Sequence, residues 1–177
     1  PEARERARSL LRRAFASDAH EAAAASARLV ADESAPAGDR VFAIELLREL
    51  APIESFGDLV EPAKLARDSK TEAVRAAALP LYARVAPQEA AGDLALMLEN
   101  QALSSAMKVA MALAWGEVAA RGKNKAAQGA LEKLIEDPSP KVRAAAAEAY
   151  GSVGRLAQPT LSKMVKGERY EIAIGAA

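Results

Sequence analysis

Apolar and polar positions along this chain fall into one pattern that recurs. A basic residue is followed seven positions later by a large side chain and ten positions later by an aliphatic one. The copies are Arg40, Leu47 and Leu50; Arg75, Tyr82 and Val85; Lys108, Trp115 and Val118; and Arg143, Tyr150 and Val153. A looser first copy has Arg8 and Phe15, with Asp18 in the aliphatic place. The basic positions 8, 40, 75, 108 and 143 are 32, 35, 33 and 35 residues apart. A second pattern keeps the same period. "LVAD" from Leu29, "LARD" from Leu65, "MLEN" from Met97, "LIED" from Leu134 and "MVKG" from Met164 each set an apolar residue three positions before a turn former. Two patterns with one period and one order mark an internal repeat.

Each repeat predicts two helices. A longer helix A holds the basic residue and the large side chain, as in "TEAVRAAALPLYARVA", and a shorter helix B follows, as in "AAQGALEKLIED". Alanine is the strongest helix former and β-branched residues are sparse, so no strand is expected. Ser139 is placed to cap a helix A, with Pro140 at its first position, where a missing N–H costs nothing. Ser104 and Asp39 stand where the equivalent helices begin. Asp58 and Glu61 have the spacing of a capping box at the start of a helix B. The repeats run over about 2–32, 37–68, 70–100, 103–137 and 139–167. "YEIAIGAA" resembles "PKVRAAAA", with Ile172 where Val142 stands, so a sixth helix A is expected to begin within 168–177. The reading is one repeat domain over 1–177, cut from a longer protein, since the chain starts with proline and shows no polar terminal cap.

Composition narrows how such helices pack. Hydrophobic residues make up 51% of the chain, but aromatics only 4%. The core must therefore come from close helix contacts over small side chains, with one large residue per repeat filling the space between layers. Lys+Arg and Asp+Glu are both 24, which removes the overall attraction to phosphate expected of a general nucleic-acid binder. There is no cysteine, so disulfides, zinc thiolates and thiol catalysis are excluded. No apolar run approaches the roughly 20 residues of a membrane span, and the N-terminal stretch lacks the apolar core of a signal peptide. A cytoplasmic setting fits, and the alanine- and arginine-rich composition suggests a bacterial source.

At the Asp-Pro turn, the Val-Arg pair and the alanine run of "DPSPKVRAAAAEAY", the chain resembles the HEAT repeat, in the short form found in phycobilin lyases. Pro80 stands where HEAT A helices often kink. The resemblance is clearest from Asp68 to Gly154. It implies an all-α, right-handed α-solenoid of about five helical hairpins, with A helices on the convex side and B helices lining the concave side. It also implies that the helix A basic row pairs with the turn aspartates in a structural ladder of Arg40, Asp68, Arg75, Lys108, Asp137 and Arg143.

Candidate chemistry is thin. His20 is the sole histidine and has no second metal ligand one turn away, so no metal site is expected; it reads as a surface or capping residue. No phosphate-binding glycine loop is present, and no cofactor is expected. Trp115 and the methionines Met97, Met107, Met111 and Met164 read as core filler. Four positions before each helix B turn former stand Arg28, Lys64, Leu96, Lys133 and Lys163. Lysine is seldom buried without a partner, so this second basic row should face solvent. One reading is a solvated face favoured by the helix dipole. The other is a groove for an acidic segment of another protein, bound through Arg28, Lys64, Lys133 and Lys163. The functional expectation is a non-enzymatic interaction scaffold. The alternatives are enzymes or enzyme subunits on the same scaffold. Alkylpurine DNA glycosylases of HEAT-like architecture use a groove with tryptophans, an aspartate and strong basicity. This chain has one tryptophan, no aspartate within four residues after it, and no net positive charge. A phycobilin lyase-like subunit rests on repeat resemblance, and no residue marks a bilin pocket.

Overall fold

The structure is a computed structural model that describes residues 2–100, 102–121 and 125–151. Among the described residues the chain forms nine α-helices and no strand. They are α1 (Glu2–Ser17), α2 (Ala19–Ala31), α3 (Ala37–Leu50), α4 (Phe56–Arg67), α5 (Glu72–Val85), α6 (Pro87–Leu98), α7 (Ser105–Ala120), α8 (Lys125–Ile135) and α9 (Pro140–Tyr150). Odd-numbered helices are the A helices of the sequence pattern and even-numbered ones the B helices. The second helix of the fifth repeat, with Lys163, and the expected start of a sixth repeat lie outside the described residues. No helix of the described chain is long and apolar enough to cross a membrane.

Two compact units divide between Leu81 and Tyr82, within α5. In the first, α2 packs on α1, α3 and α4. In the second, α7 packs on α6, α8 and α9, and α8 also packs on α6 and α9. Helices of like type therefore lie against each other from one repeat to the next: α2 on α4, α6 on α8, α7 on α9. An isolated hairpin leaves one apolar face open, and stacking on its neighbour closes it. The fold is all-α, of the α-solenoid class.

The large-residue slot fills the layers as the pattern requires. Phe15, Leu47, Tyr82, Trp115 and Tyr150 are all buried. The tyrosine hydroxyls are satisfied across helices, Tyr82 Oη donating to Asp93 Oδ2 of α6 at 3.0 Å and Tyr150 Oη to Glu132 Oε1 of α8 at 2.7 Å. Small residues let the A helices close up. A Cβ on Gly116 of α7 would stand 3.0 Å from the Ala149 Cβ and 3.4 Å from its Cα, on α9.

Helix starts follow the sequence in part. Ser104 caps α7 by accepting the Met107 N–H at 3.2 Å. Asp18 caps α2 by accepting the Glu21 N–H at 3.0 Å; the spacing frame had marked Asp18 only as a misfit. Three expected caps are not made. Asp39 lies in the first turn of α3, whose N-cap is Pro36. Ser139 is the N-cap residue of α9, with Pro140 at the first position, but its side chain makes no cap bond; its N–H donates to Asp137 Oδ1 at 2.8 Å. Asp58 lies inside α4, because a 3-10 turn at Ile53–Ser55 starts the helical winding earlier, and Glu61 approaches Lys64 instead of reaching back. Pro80 lies inside α5, and Pro62 inside α4.

Candidate functional site

Two basic rows were singled out from the sequence, and the structure uses them differently. The odd-helix row holds the turns between repeats. Lys108 Nζ of α7 reaches 29 residues forward to Asp137 Oδ2 at 2.7 Å, and Arg143 Nη1 of α9 turns back to the Asp137 and Pro138 carbonyls at 3.0 and 2.8 Å. The first compact unit repeats these separations around Ser69. Arg40 Nη1 of α3 reaches 29 residues forward to Ser69 Oγ at 3.2 Å, and Arg75 Nη1 turns back to the Ser69 and Lys70 carbonyls at 2.8 and 2.9 Å. Each turn is gripped by the odd-numbered helix of its own repeat and by the odd-numbered helix that follows it.

The acid partners depart from the ladder that the resemblance implied. Arg75 binds backbone carbonyls rather than Asp68. The Asp68 carboxylate is taken by its neighbour, with Arg67 Nε donating to Oδ1 at 2.9 Å. This hydrogen bond, together with the Arg67 charge, holds the Asp68 carboxyl below its ordinary range against the opposing effect of burial. Asp137 is also below its ordinary range. Burial pushes it up, but the Lys108 hydrogen bond, the Ser139 N–H and the Lys108 and Arg143 charges outweigh that. Arg40 is 3% exposed, and its charge helps to hold the Asp32 carboxyl below its ordinary range, though no hydrogen bond joins the two. Its Nε donates to the Val30 carbonyl at 3.0 Å, and its Nη2 has no partner among the described residues.

The even-helix row faces outward. Arg28 on α2 and Lys133 on α8 are exposed, and neither side chain takes part in a hydrogen bond or ion pair among the described residues. Lys64 on α4 is half-buried and lies 3.4 Å from Glu61. Leu96 occupies the same register on α6 and is 70% exposed.

Between α2 and α4 the surface sinks into a depression of about 330 Å³. Its floor is apolar, with Ala23, Ala27 and Leu59, and Arg28 and Asp58 stand on its two walls. Alanine creates this space: between His20 and Arg28 the α2 residues that line it, Ala23, Ala24 and Ala27, carry only a Cβ. His20 closes one end, its Nδ1 3.0 Å from Ser55 Oγ. A serine beside a histidine invites a nucleophile reading, but Ser55 is 2% exposed, which withholds its oxygen from a substrate carbonyl. The contact ties the start of α2 to the turn before α4. The sequence reading missed this pair; the signal that could have found it is the separation of His20 and Ser55, 35 residues or one repeat. Among the described residues no group of three histidine, aspartate or glutamate side chains is arranged to hold a metal ion.

No curated protein and no solved structure matches the chain. Residues 128–157 match the family model of the HEAT repeat, a stretch that takes in most of α8, the turn gripped by Lys108 and Arg143, and all of α9. Over that stretch the chain is similar to a HEAT repeat, and the described residues around it form an all-helical repeat fold.

Proposed function

We propose that this chain is a non-enzymatic scaffold that binds an acidic segment of another protein along the face of its even-numbered helices. One contrast supports this reading. The cations of the odd-numbered helices are consumed in holding turns, whereas Arg28 and Lys133 stand exposed and uncommitted at matching places on α2 and α8. Exposed charge without an internal partner adds little to stability, so such a row is available to steer and orient a partner. HEAT repeats commonly mediate protein interactions, which agrees. The charge balance, 24 basic against 24 acidic residues, favours a local acidic partner over nucleic acid, and the cytoplasm is the setting we assign.

A paired pull-down tests the reading. One bait is this chain; the other carries Arg28→Glu, Lys64→Glu, Lys133→Glu and Lys163→Glu, with helicity checked by circular dichroism. The expected result is a partner held by the first bait and lost from the second. A partner held equally by both overturns the assignment of function to this face.

A further inference from the structure

We infer that the depression between α2 and α4 is a docking subsite for a helical segment of another protein carrying one apolar anchor, a carboxylate on one edge and a cation on the other. This rests on the scaffold reading and sharpens it, because it replaces a purely acidic partner by one of mixed charge at this place.

Three observations carry it. The first is the floor. Ala23, Ala27 and Leu59 are buried and leave about 330 Å³ above them, at the small end of the range of ligand pockets and enough for one anchoring side chain. The second is the walls. Arg28 on α2 and Asp58 on α4 line the same depression, both exposed, and neither is engaged by any other described residue. Opposite charges that share a hollow without pairing present a two-sided pattern. A carboxylate is favoured on the α2 side and an ammonium or guanidinium on the α4 side. The third is the rim. Asp58, Pro62 and Leu65 fall at i, i+4 and i+7 of α4, so Leu65, 53% exposed, prolongs the same wall with an apolar side chain. A hollow between two adjacent helices with a charged pair across it and an apolar rim along it suits a third helix laid in the groove.

The test uses three alanine-based peptides of about 15 residues, stapled because isolated helices of that length are marginal. Each carries one leucine, with its two edges bearing Glu and Lys, Glu and Glu, or Lys and Lys. Each is titrated into the ¹⁵N-labelled chain and followed by amide shifts. The expected result is that the Glu–Lys peptide moves amides within 20–31 and 55–65 and binds at least about threefold more tightly than the other two, the size expected of exposed ion pairs. Arg28→Glu should turn the preference to the Lys–Lys peptide, and Asp58→Lys to the Glu–Glu peptide. Ala24→Trp, at an exposed lining position, should weaken all three about tenfold by filling the hollow. Equal affinities, shifts elsewhere, no binding at millimolar peptide, or preferences unchanged in the variants would each overturn the subsite. The two proposals separate cleanly. A pull-down partner lost on reversal of the basic row but retained by Ala24→Trp leaves the scaffold reading standing and removes the subsite. Peptides that obey the charge rule, beside a pull-down partner indifferent to the row, do the reverse.

Discussion

Two turns in this chain solve one problem with different acceptors. Around Asp137 the gripping cation meets a carboxylate, and around Ser69 it meets a hydroxyl. The carboxylate side chain is 10% exposed, so the Lys108 pair is largely screened from water. Asp137→Asn should cost about 1–3 kcal/mol at neutral pH, read from urea unfolding. Because the folded Asp137 carboxyl lies below its ordinary range, its contribution is complete above the unfolded-chain value. It is lost as the pH falls through the folded one. Stability of the Asp137→Asn chain should therefore fall less on acidification than that of the parent. Around Ser69 the position is reversed, with a buried guanidinium that donates to neutral oxygens and feels a carboxylate, Asp32, only through its charge. Arg40→Met should cost about 2 kcal/mol in the same measurement, since the Val30 carbonyl loses its side-chain donor and the Ser69 hydroxyl keeps only the Thr71 N–H. That loss should be nearly independent of pH between 7 and 4.

At the scale of elements, small residues have two distinct roles that the sequence does not separate. Gly116 and Gly92 both sit inside helices. Gly116→Ala gains helix propensity of about 1 kcal/mol but drives its Cβ to 3.0 Å from Ala149 on α9, where backbone atoms cannot step aside. Overpacking of this kind costs about 1–3 kcal/mol, so thermal denaturation should show a lower Tm. Gly92→Ala in α6 meets nothing within 4 Å and should raise stability by about 0.5–1 kcal/mol. Opposite signs from one chemical change would confirm that α7 and α9 meet at a surface built for hydrogen rather than methyl. Helix ends were legible only where the cap is a local matter, as at Ser104. Where a 3-10 turn moved the start, as before α4, or the helix began earlier, as before Asp39, spacing alone misplaced the cap; at Ser139 it gave the position but not the missing side-chain bond.

For the whole molecule, charge balance is the property that acts at a distance. With 24 basic and 24 acidic residues, the 177-residue chain offers no net field for phosphate. In a duplex-DNA binding titration at about 50 and 200 mM salt, no affinity that falls with salt should appear. Tight, salt-sensitive binding would instead mark an unrecognised basic surface. Stacking of like on like, α2 on α4 and α7 on α9, means each described repeat depends on its neighbours for burial.

The period of the repeat, the helical class, the two basic rows and the buried large-residue slot were all determined by the sequence. Each depends on spacing along one helix or on a unit that recurs, and both are one-dimensional. Tertiary structure alone decided how those residues were spent. It turned Arg75 to carbonyls instead of Asp68, gave Arg40 a serine, brought His20 against Ser55, and opened a hollow between Arg28 and Asp58. These outcomes depend on where one helix lies against the next, at distances of a few ångströms that no spacing within a single helix encodes.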